Sequence, residues 1–317
     1  MGQQANLPLP RGYQLQNYTI VKPLSSGGFS IVYLAHDEND QPVAIKEYMP
    51  SSLVLRVDGE IVNPENPEYL PTFRYGLKCF FEEGKALAGI NHPNVVRVIN
   101  FFRANETVYM VMSYERGRTL QREIQLRQNE TMKESMIRLV FGQLLNGLRE
   151  VHLHKLLHLD IKPANIYIRQ DGTPLLLDFG SARQTFTQNN PRLSPMFTPG
   201  FAPPEQYRDR DNLGPWSDIY SVGASIYACM AAHAPQPGDQ RAVEDKYVSA
   251  SKLWNGVYSK HLLEIVDWCL EKDFLNRPQS VLQIQKELLR NDYEIPEPKL
   301  SQKIRSFLTQ NIFPRNR

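Results

Sequence analysis

Hydrophobic and polar positions follow one period up to about residue 112 and another after about residue 117. Residues 1–17 read as a loose extension. Tyr18–Val21 and Ile31–Ala35 are short apolar runs on either side of Ser25-Ser26-Gly27-Gly28, which predicts a hairpin. Gln41-Pro42 is a turn, and Val43-Ala44-Ile45-Lys46 a third strand. Residues 47–78 carry Pro50, Pro64, Pro67 and Pro71 and predict a long ordered insertion with little helix. Phe80, Glu83, Leu87 and Ile90 have helical spacing, which His92-Pro93-Asn94 ends. Val95–Phe102 and Thr107–Ser113 predict a second hairpin around Ala104-Asn105-Glu106. Beyond Gly117, Ile137, Val140, Phe141, Leu144, Leu145, Leu148 and Val151 line one face of a long helix. Further helices are predicted near 218–232, 260–271 and 278–290.

The fold class that follows is α+β. A small β-rich lobe with one key helix (18–112) joins a larger helical lobe (118–290) through a hinge at 113–117, and 291–317 form a tail. The cleft between the lobes is the expected ligand site.

Composition narrows the partners. Lys+Arg number 36 against Asp+Glu 34, a net charge of +2, so nothing points to nucleic acid or a membrane surface. Cys79, Cys229 and Cys269 form no CxxC pair and match no zinc spacing, so they read as reduced core thiols. Met1–Arg11 is too polar for a secretory signal, and Asn6 departs from the myristoylation pattern that Gly2 opens. The most apolar stretch, Tyr220–Ala234, falls short of the ~20 residues a bilayer span needs and reads as a buried helix. The expectation is a cytoplasmic chain without a membrane segment.

Four segments carry chemistry. A glycine turn can bring backbone N–H groups to phosphate oxygens, although most Gly-Gly pairs are only turns. Lys46 ends an apolar strand, where a lysine usually reaches water but can place a cation in a cleft. His158-Leu159-Asp160-Ile161-Lys162-Pro163-Ala164-Asn165 is sharper, since a carboxylate, an amine and a carboxamide follow an amphipathic helix within a few residues. Asp160 could accept a hydroxyl proton, Lys162 neutralise a phosphoryl group and Asn165 offer an oxygen to Mg²⁺. In Leu175-Leu176-Leu177-Asp178-Phe179-Gly180 an acid ends an apolar strand at a flexible joint, as a metal-holding carboxylate requires.

Taken in order with Glu83 on a helix and Pro203-Pro204-Glu205, these segments resemble the eukaryotic-type protein kinase family in its bacterial Ser/Thr form, from Tyr18 to Leu289. The resemblance implies an ATP- and Mg²⁺-dependent enzyme (Mn²⁺ being the alternative ion) acting on a protein substrate with a Ser or Thr acceptor. It implies Asp160 as base, Lys162 as phosphoryl contact, and Asn165 and Asp178 as metal ligands. Lys46 would touch the α- and β-phosphates and pair with Glu83, chosen over Glu82 because it leaves Leu87 and Ile90 on the packed face. Leu24, Ser26, Gly27, Gly28 and Phe29 would cover the nucleotide, and Val32 and Ala44 line the adenine pocket. Met112 would guard its back, with Ser113, Tyr114 and Glu115 as the hinge. Thr198 would sit beside Asp160, Glu205 pair with Arg277, and Asp218 brace the catalytic loop. His158, Phe179, Leu87 and Val98 would stack as a column.

The chain also departs from the family. Ser25 and Ser30 stand where glycines are usual, and Leu159 stands where many members have Arg. That Arg pairs with a phosphorylated loop residue, so Leu159 implies independence from such a switch, although Ser181, Thr185, Thr187 and Ser194 remain candidate autophosphorylation sites. The 47–78 insertion could brace the small lobe or dock a regulator. Two other readings stay open, a kinase-shaped binding or scaffolding module and a small-molecule kinase. Pro203-Pro204-Glu205, Asp218 and Arg277 count against the second.

Overall fold

The computed structural model describes residues 7–56, 59–127, 130–179 and 198–290. The first lobe is an antiparallel sheet of β1 (Gln14–Leu15), β2 (Tyr18–Ser26), β3 (Ser30–His36), β4 (Pro42–Tyr48), β7 (Val98–Ala104) and β8 (Thr107–Ser113) in the order β1-β2-β3-β4-β8-β7. Both predicted hairpins are present. Asn105 and Glu106 turn the second with φ of 51° and 57°, the left-handed pair that matches strand twist. Between β4 and β7 lie a small hairpin, β5 (Val54–Leu55) with β6 (Asn63–Pro64), and helix α1 (Leu70–Ala88).

Two expectations fail here. Helix α1 begins at Leu70, well before Phe80, and takes in residues 70–78 of the insertion expected to hold little helix. Pro71 occupies the first turn, where its missing N–H costs nothing, and Phe73, Leu77, Phe80, Gly84 and Leu87 form the buried face. Nor is the described part of the leading segment loose. Leu9 and Leu15 are buried, Leu9 N–H donates to Tyr33 Oη (3.1 Å), and β1 pairs with β2.

The insertion is tied down by a buried ionic cluster. Glu47 is fully buried and accepts from Tyr33 Oη (2.7 Å), Tyr109 Oη (2.5 Å) and the Arg56 guanidinium. Arg56, almost as buried, also donates to the carbonyls of Leu7 (3.0 Å) and Glu60 (3.1 Å). One carboxylate thereby joins two strands, the insertion and the N-terminal segment.

The second lobe is helical: α2 (Leu120–Leu126), α3 (Glu134–Leu153), α4 (Pro204–Arg208), α5 (Pro215–Ala231), α6 (Gly238–Val243), α7 (Ala250–Leu253), α8 (Lys260–Cys269) and α9 (Val281–Leu288). The seven apolar positions read on α3 are all buried. Helix α5 is buried on nearly every side, as its even hydrophobicity predicts, and packs on α8. A three-stranded sheet, β9 (Gly117–Thr119), β10 (Ile166–Arg169) and β11 (Pro174–Leu176), in the order β11-β10-β9, lies at the junction of the lobes. No helix among the described residues is long and apolar enough to cross a membrane.

Candidate active site

A cleft of about 370 Å³ lies between the lobes, and Leu24, Val32, Ala44, Met112, Ser113, Tyr114 and Asp178 all line it. Pairing of β3 with β4 and of β4 with β8 puts Ala44 opposite Leu34 on one side and Met112 on the other. The remaining lining includes Val96, Thr119, Ala164, Tyr167, Leu175 and Leu177, none of which the sequence assigns to the cleft. Their signal was faint: Leu175 and Leu177 share one face of the run before Asp178, and Ala164 lies between two motif residues.

Ser26, Gly27, Gly28 and Phe29 do not line this cleft; they form the hairpin tip beyond it. Gly27 N–H closes the tip on Ser30 O at 2.9 Å. The tip is fastened from outside, because Met49 N–H donates to Phe29 O (2.7 Å) and Ser51 N–H to Gly28 O (2.9 Å). Phe29 is half-buried against the small-lobe core. Ser51, at the start of the insertion, has no distinguishing sequence signal.

The polar groups meet at the inner side. Asp160 stands in the loop after α3, with Lys162 Nζ 3.0 Å from each of its carboxylate oxygens. Asn165 Nδ2 donates to Asp160 Oδ2 (2.8 Å) and to its carbonyl (2.9 Å). Thr198 joins the group, accepting from Lys162 Nζ at 2.7 Å and donating to Asp160 Oδ1 at 3.3 Å. A backbone bond from Leu177 N–H to Asn165 O (2.9 Å) holds the strand leading to Asp178 against this loop.

Lys46 Nζ is buried 2.8 Å from Asp178 Oδ1 and 5.7 Å from the centre of the Phe80 ring. The expected pairing with Glu83 is therefore corrected in this structure. Asp178, at φ 47°, brings its carboxylate to the amine, while Glu83 lies buried on α1 one turn beyond Phe80.

The loop is braced as expected. Asp218 accepts from His158 N–H (2.9 Å) and Leu159 N–H (2.7 Å) and lies 2.8 Å from His152 Nε2. Burial raises the pKa of Asp218, but the hydrogen bond and charge of His152, then His158 and the Leu159 amide, outweigh it and hold the carboxyl below its ordinary range. Burial pushes the His158 imidazole down. Its ring lies 4.4 Å from that of Phe179, which packs in one core with Leu87 and Val98. Arg277 grips Glu205 with two bonds, of 2.7 and 3.0 Å.

Asn165 Nδ2 is spent on Asp160, while its Oδ1 accepts no hydrogen bond among the described residues. With the Asp178 carboxylate it forms a hard-oxygen donor set that suits Mg²⁺, an ion commonly held by only one or two protein oxygens plus phosphate. Gly180 and the candidate sites Ser181, Thr185, Thr187 and Ser194 lie outside the described residues, as do residues 291–317.

A family model described as "Protein kinase domain" matches residues 18–293. Serine/threonine-protein kinase PknA of Nostoc sp. is 31% identical over 281 residues, covering 86% of this chain and 46% of its own length. Serine/threonine-protein kinase PknL of Mycobacterium tuberculosis is 31% identical over 234 residues, 73% of this chain and 53% of its own. The chain thus spans about half the length of these relatives. Among solved structures, "PpkA-294 apo form" is 36% identical with a TM-score of 0.81, covering 89% of this chain and 99% of that one. The PknI kinase domain of Mycobacterium tuberculosis, at 20% identity and a TM-score of 0.64 over 89% of this chain and 98% of its own, shares the fold.

Proposed function

This chain belongs to the protein kinase family, and from that we propose that it transfers the γ-phosphoryl group of ATP to Ser or Thr hydroxyls of protein substrates, its own chain being a candidate among them. The observation that carries the reading is the convergence of Asp160, Lys162, Asn165 and Thr198 in one hydrogen-bonded group, beside the Lys46–Asp178 pair at an apolar cleft.

Phosphoryl transfer has a loose transition state whose charge is spread over oxygens, so alignment and neutralisation do most of the work. The apolar walls from Val32, Ala44, Leu175 and Met112 take a flat base, and hinge backbone at Ser113–Glu115 reads its edge. Lys46 neutralises phosphate oxygens. Asp160 orients the acceptor hydroxyl and takes its proton, while Lys162, already within reach of both Asp160 and Thr198, offsets charge on the moving group. Mg²⁺ held by Asn165 and Asp178 would supply charge neutralisation at the phosphates. The preference for Ser or Thr rests on the relatives' names and on Lys162.

The test is incubation of the purified chain with γ-labelled ATP, Mg²⁺ and Ser/Thr peptides. Labelling should vanish on chelation of the metal. Asp160→Ala should lower kcat by roughly 10²–10⁴-fold, or about 3–5 kcal/mol of barrier. An undiminished kcat removes Asp160 from its role, and no transfer by the unaltered chain removes the reading.

A further inference from the structure

Leu159, immediately before Asp160, has φ 61°. In this left-handed region a Cβ crowds backbone oxygen, and a bulky aliphatic residue stays there only when its surroundings hold it. Two side chains from distant segments do so. Asp218 Oδ1 accepts from the Leu159 N–H at 2.7 Å, and Gln206 Nε2 donates to the Leu159 carbonyl at 2.8 Å. Because a carbonyl only accepts, the partner itself settles which end of the Gln206 amide faces it.

Gln206 is 2% exposed, and its Oε1 is buried without a partner among the described residues. An apolar side chain of similar volume would fill the space without stranding an acceptor, so the single bond to Leu159 is what an amide adds here. Its base is rigid. The preceding residue, Glu205, is gripped by Arg277 and accepts from Ser217 Oγ at 2.9 Å. The Leu159 side chain is apolar and cannot pair with a phosphate, so placement of this residue falls to its backbone contacts.

Resting on the kinase reading above, we infer that Gln206 is a positioning residue for Asp160, a fixed strut from α4 that holds the catalytic loop in register without any phosphorylated residue. Asp218 holds the amide side of the strained residue and Gln206 its carbonyl side, so loss of the strut frees the peptide that leads into Asp160.

The test is steady-state peptide phosphorylation by the full chain carrying Gln206→Met or Gln206→Glu, with thermal melting alongside. Gln206→Met keeps the volume and removes the donor; kcat should fall by roughly 10-fold or more while KM for ATP stays within about 2-fold. Gln206→Glu cannot donate while ionised, so its kcat per folded molecule relative to the unaltered chain should recover as pH falls and the carboxyl protonates, with melting followed over the same pH range so that relief of a buried charge on stability is read separately. This second variant decides the matter if the first fails to fold. In a Leu159→Gly background, where the backbone rests at this φ without strain, the cost of Gln206→Met should shrink to below roughly 3-fold. A Gln206→Met enzyme with unchanged kcat per folded molecule, or a flat pH ratio for Gln206→Glu, overturns the inference alone. An unaltered chain that transfers no phosphate overturns the kinase reading and this inference with it.

Discussion

Arg277→Met should be among the most damaging single changes far from the interlobe cleft. The Arg277 side chain is fully buried and binds both Glu205 oxygens, at 2.7 and 3.0 Å. It also serves the carbonyls of Glu271 (2.7 Å), Lys272 (3.0 Å) and Trp216 (3.4 Å), and its guanidinium lies 4.8 Å from the Tyr220 ring centre. Methionine keeps most of the volume, so the loss is electrostatic. Glu205 is left buried with Ser217 Oγ, and three carbonyls lose a donor. One-sided removal of a buried pair costs about 3–5 kcal/mol, and the orphaned carbonyls place this case in the upper half of that range. At roughly 2–3 °C per kcal/mol for a chain of this size, Tm should fall by about 8–15 °C. Calorimetric melts of the full chain measure this, with urea titration as an independent estimate of ΔG. A Glu205→Leu/Arg277→Met double variant removes both charges and should regain a large part of the loss. A single variant melting within about 3 °C of the unaltered chain, or a double variant no better than the sum of its parts, would refute the argument.

Three further outcomes are expected. His158 has its pKa lowered and Asp218 is held below 3.8, so each stabilises the fold above its unfolded value. The His158 contribution should be lost first, as pH falls below about 6.5, and that of Asp218 only below about 3.8. Tm measured against pH should therefore begin to decline below about 6.5, and His158→Phe should make that decline shallower, the remainder coming from His92, whose pKa burial also lowers; an unchanged slope between pH 6.5 and 5 would count against it. Arg56→Met should cost roughly 3–5 kcal/mol by stranding Glu47 and, by loosening the segment whose Ser51 N–H holds Gly28, should raise KM for ATP; a denaturation curve and initial rates read the two effects separately. Phosphatase treatment should leave kcat unchanged because Leu159 cannot pair with a phosphate; activity lost and then regained on phosphorylation of Ser181, Thr185, Thr187 or Ser194 would reverse that conclusion.

The elements best foreseen are those whose burial depends on local periodicity alone. The α3 stripe from Ile137 to Val151 and the hairpin turn at Asn105-Glu106 lie where the sequence puts them, since one face of a helix or two residues of a turn contain the whole signal. The start of α1 was legible in principle. Phe73, Leu77, Phe80 and Leu87 keep helical spacing, but four prolines in 47–78 outweigh it unless Pro71 is recognised as a first-turn proline. Within the site, motif order brings Asp160, Lys162 and Asn165 together, and the hinge and strand residues line the cleft as expected. The glycine-turn tip away from the cleft, the anchoring of Gly28 by Ser51 and the pairing of Lys46 with Asp178 depend on contacts that no short window contains.

The strained backbone marks where local reasoning stops. Asp178 and Leu159 both take positive φ, at 47° and 61°. Asp tolerates this region, but for Leu it costs on the order of 1–2 kcal/mol, and nothing in the residues around position 159 announces it. The conformation exists because Asp218 and Gln206, distant in sequence, bond to the same residue. Hydrogen bonds to a charged acceptor contribute about 1.5–3 kcal/mol, enough for Asp218 to offset the strain, with the Gln206 bond adding to that margin. The geometry of Asp160 is therefore a property of the packed helical lobe rather than of the loop that carries it. Any change that loosens α4 or α5, Arg277→Met included, should reach the Asp160 carboxylate through Leu159 before it unfolds the lobe.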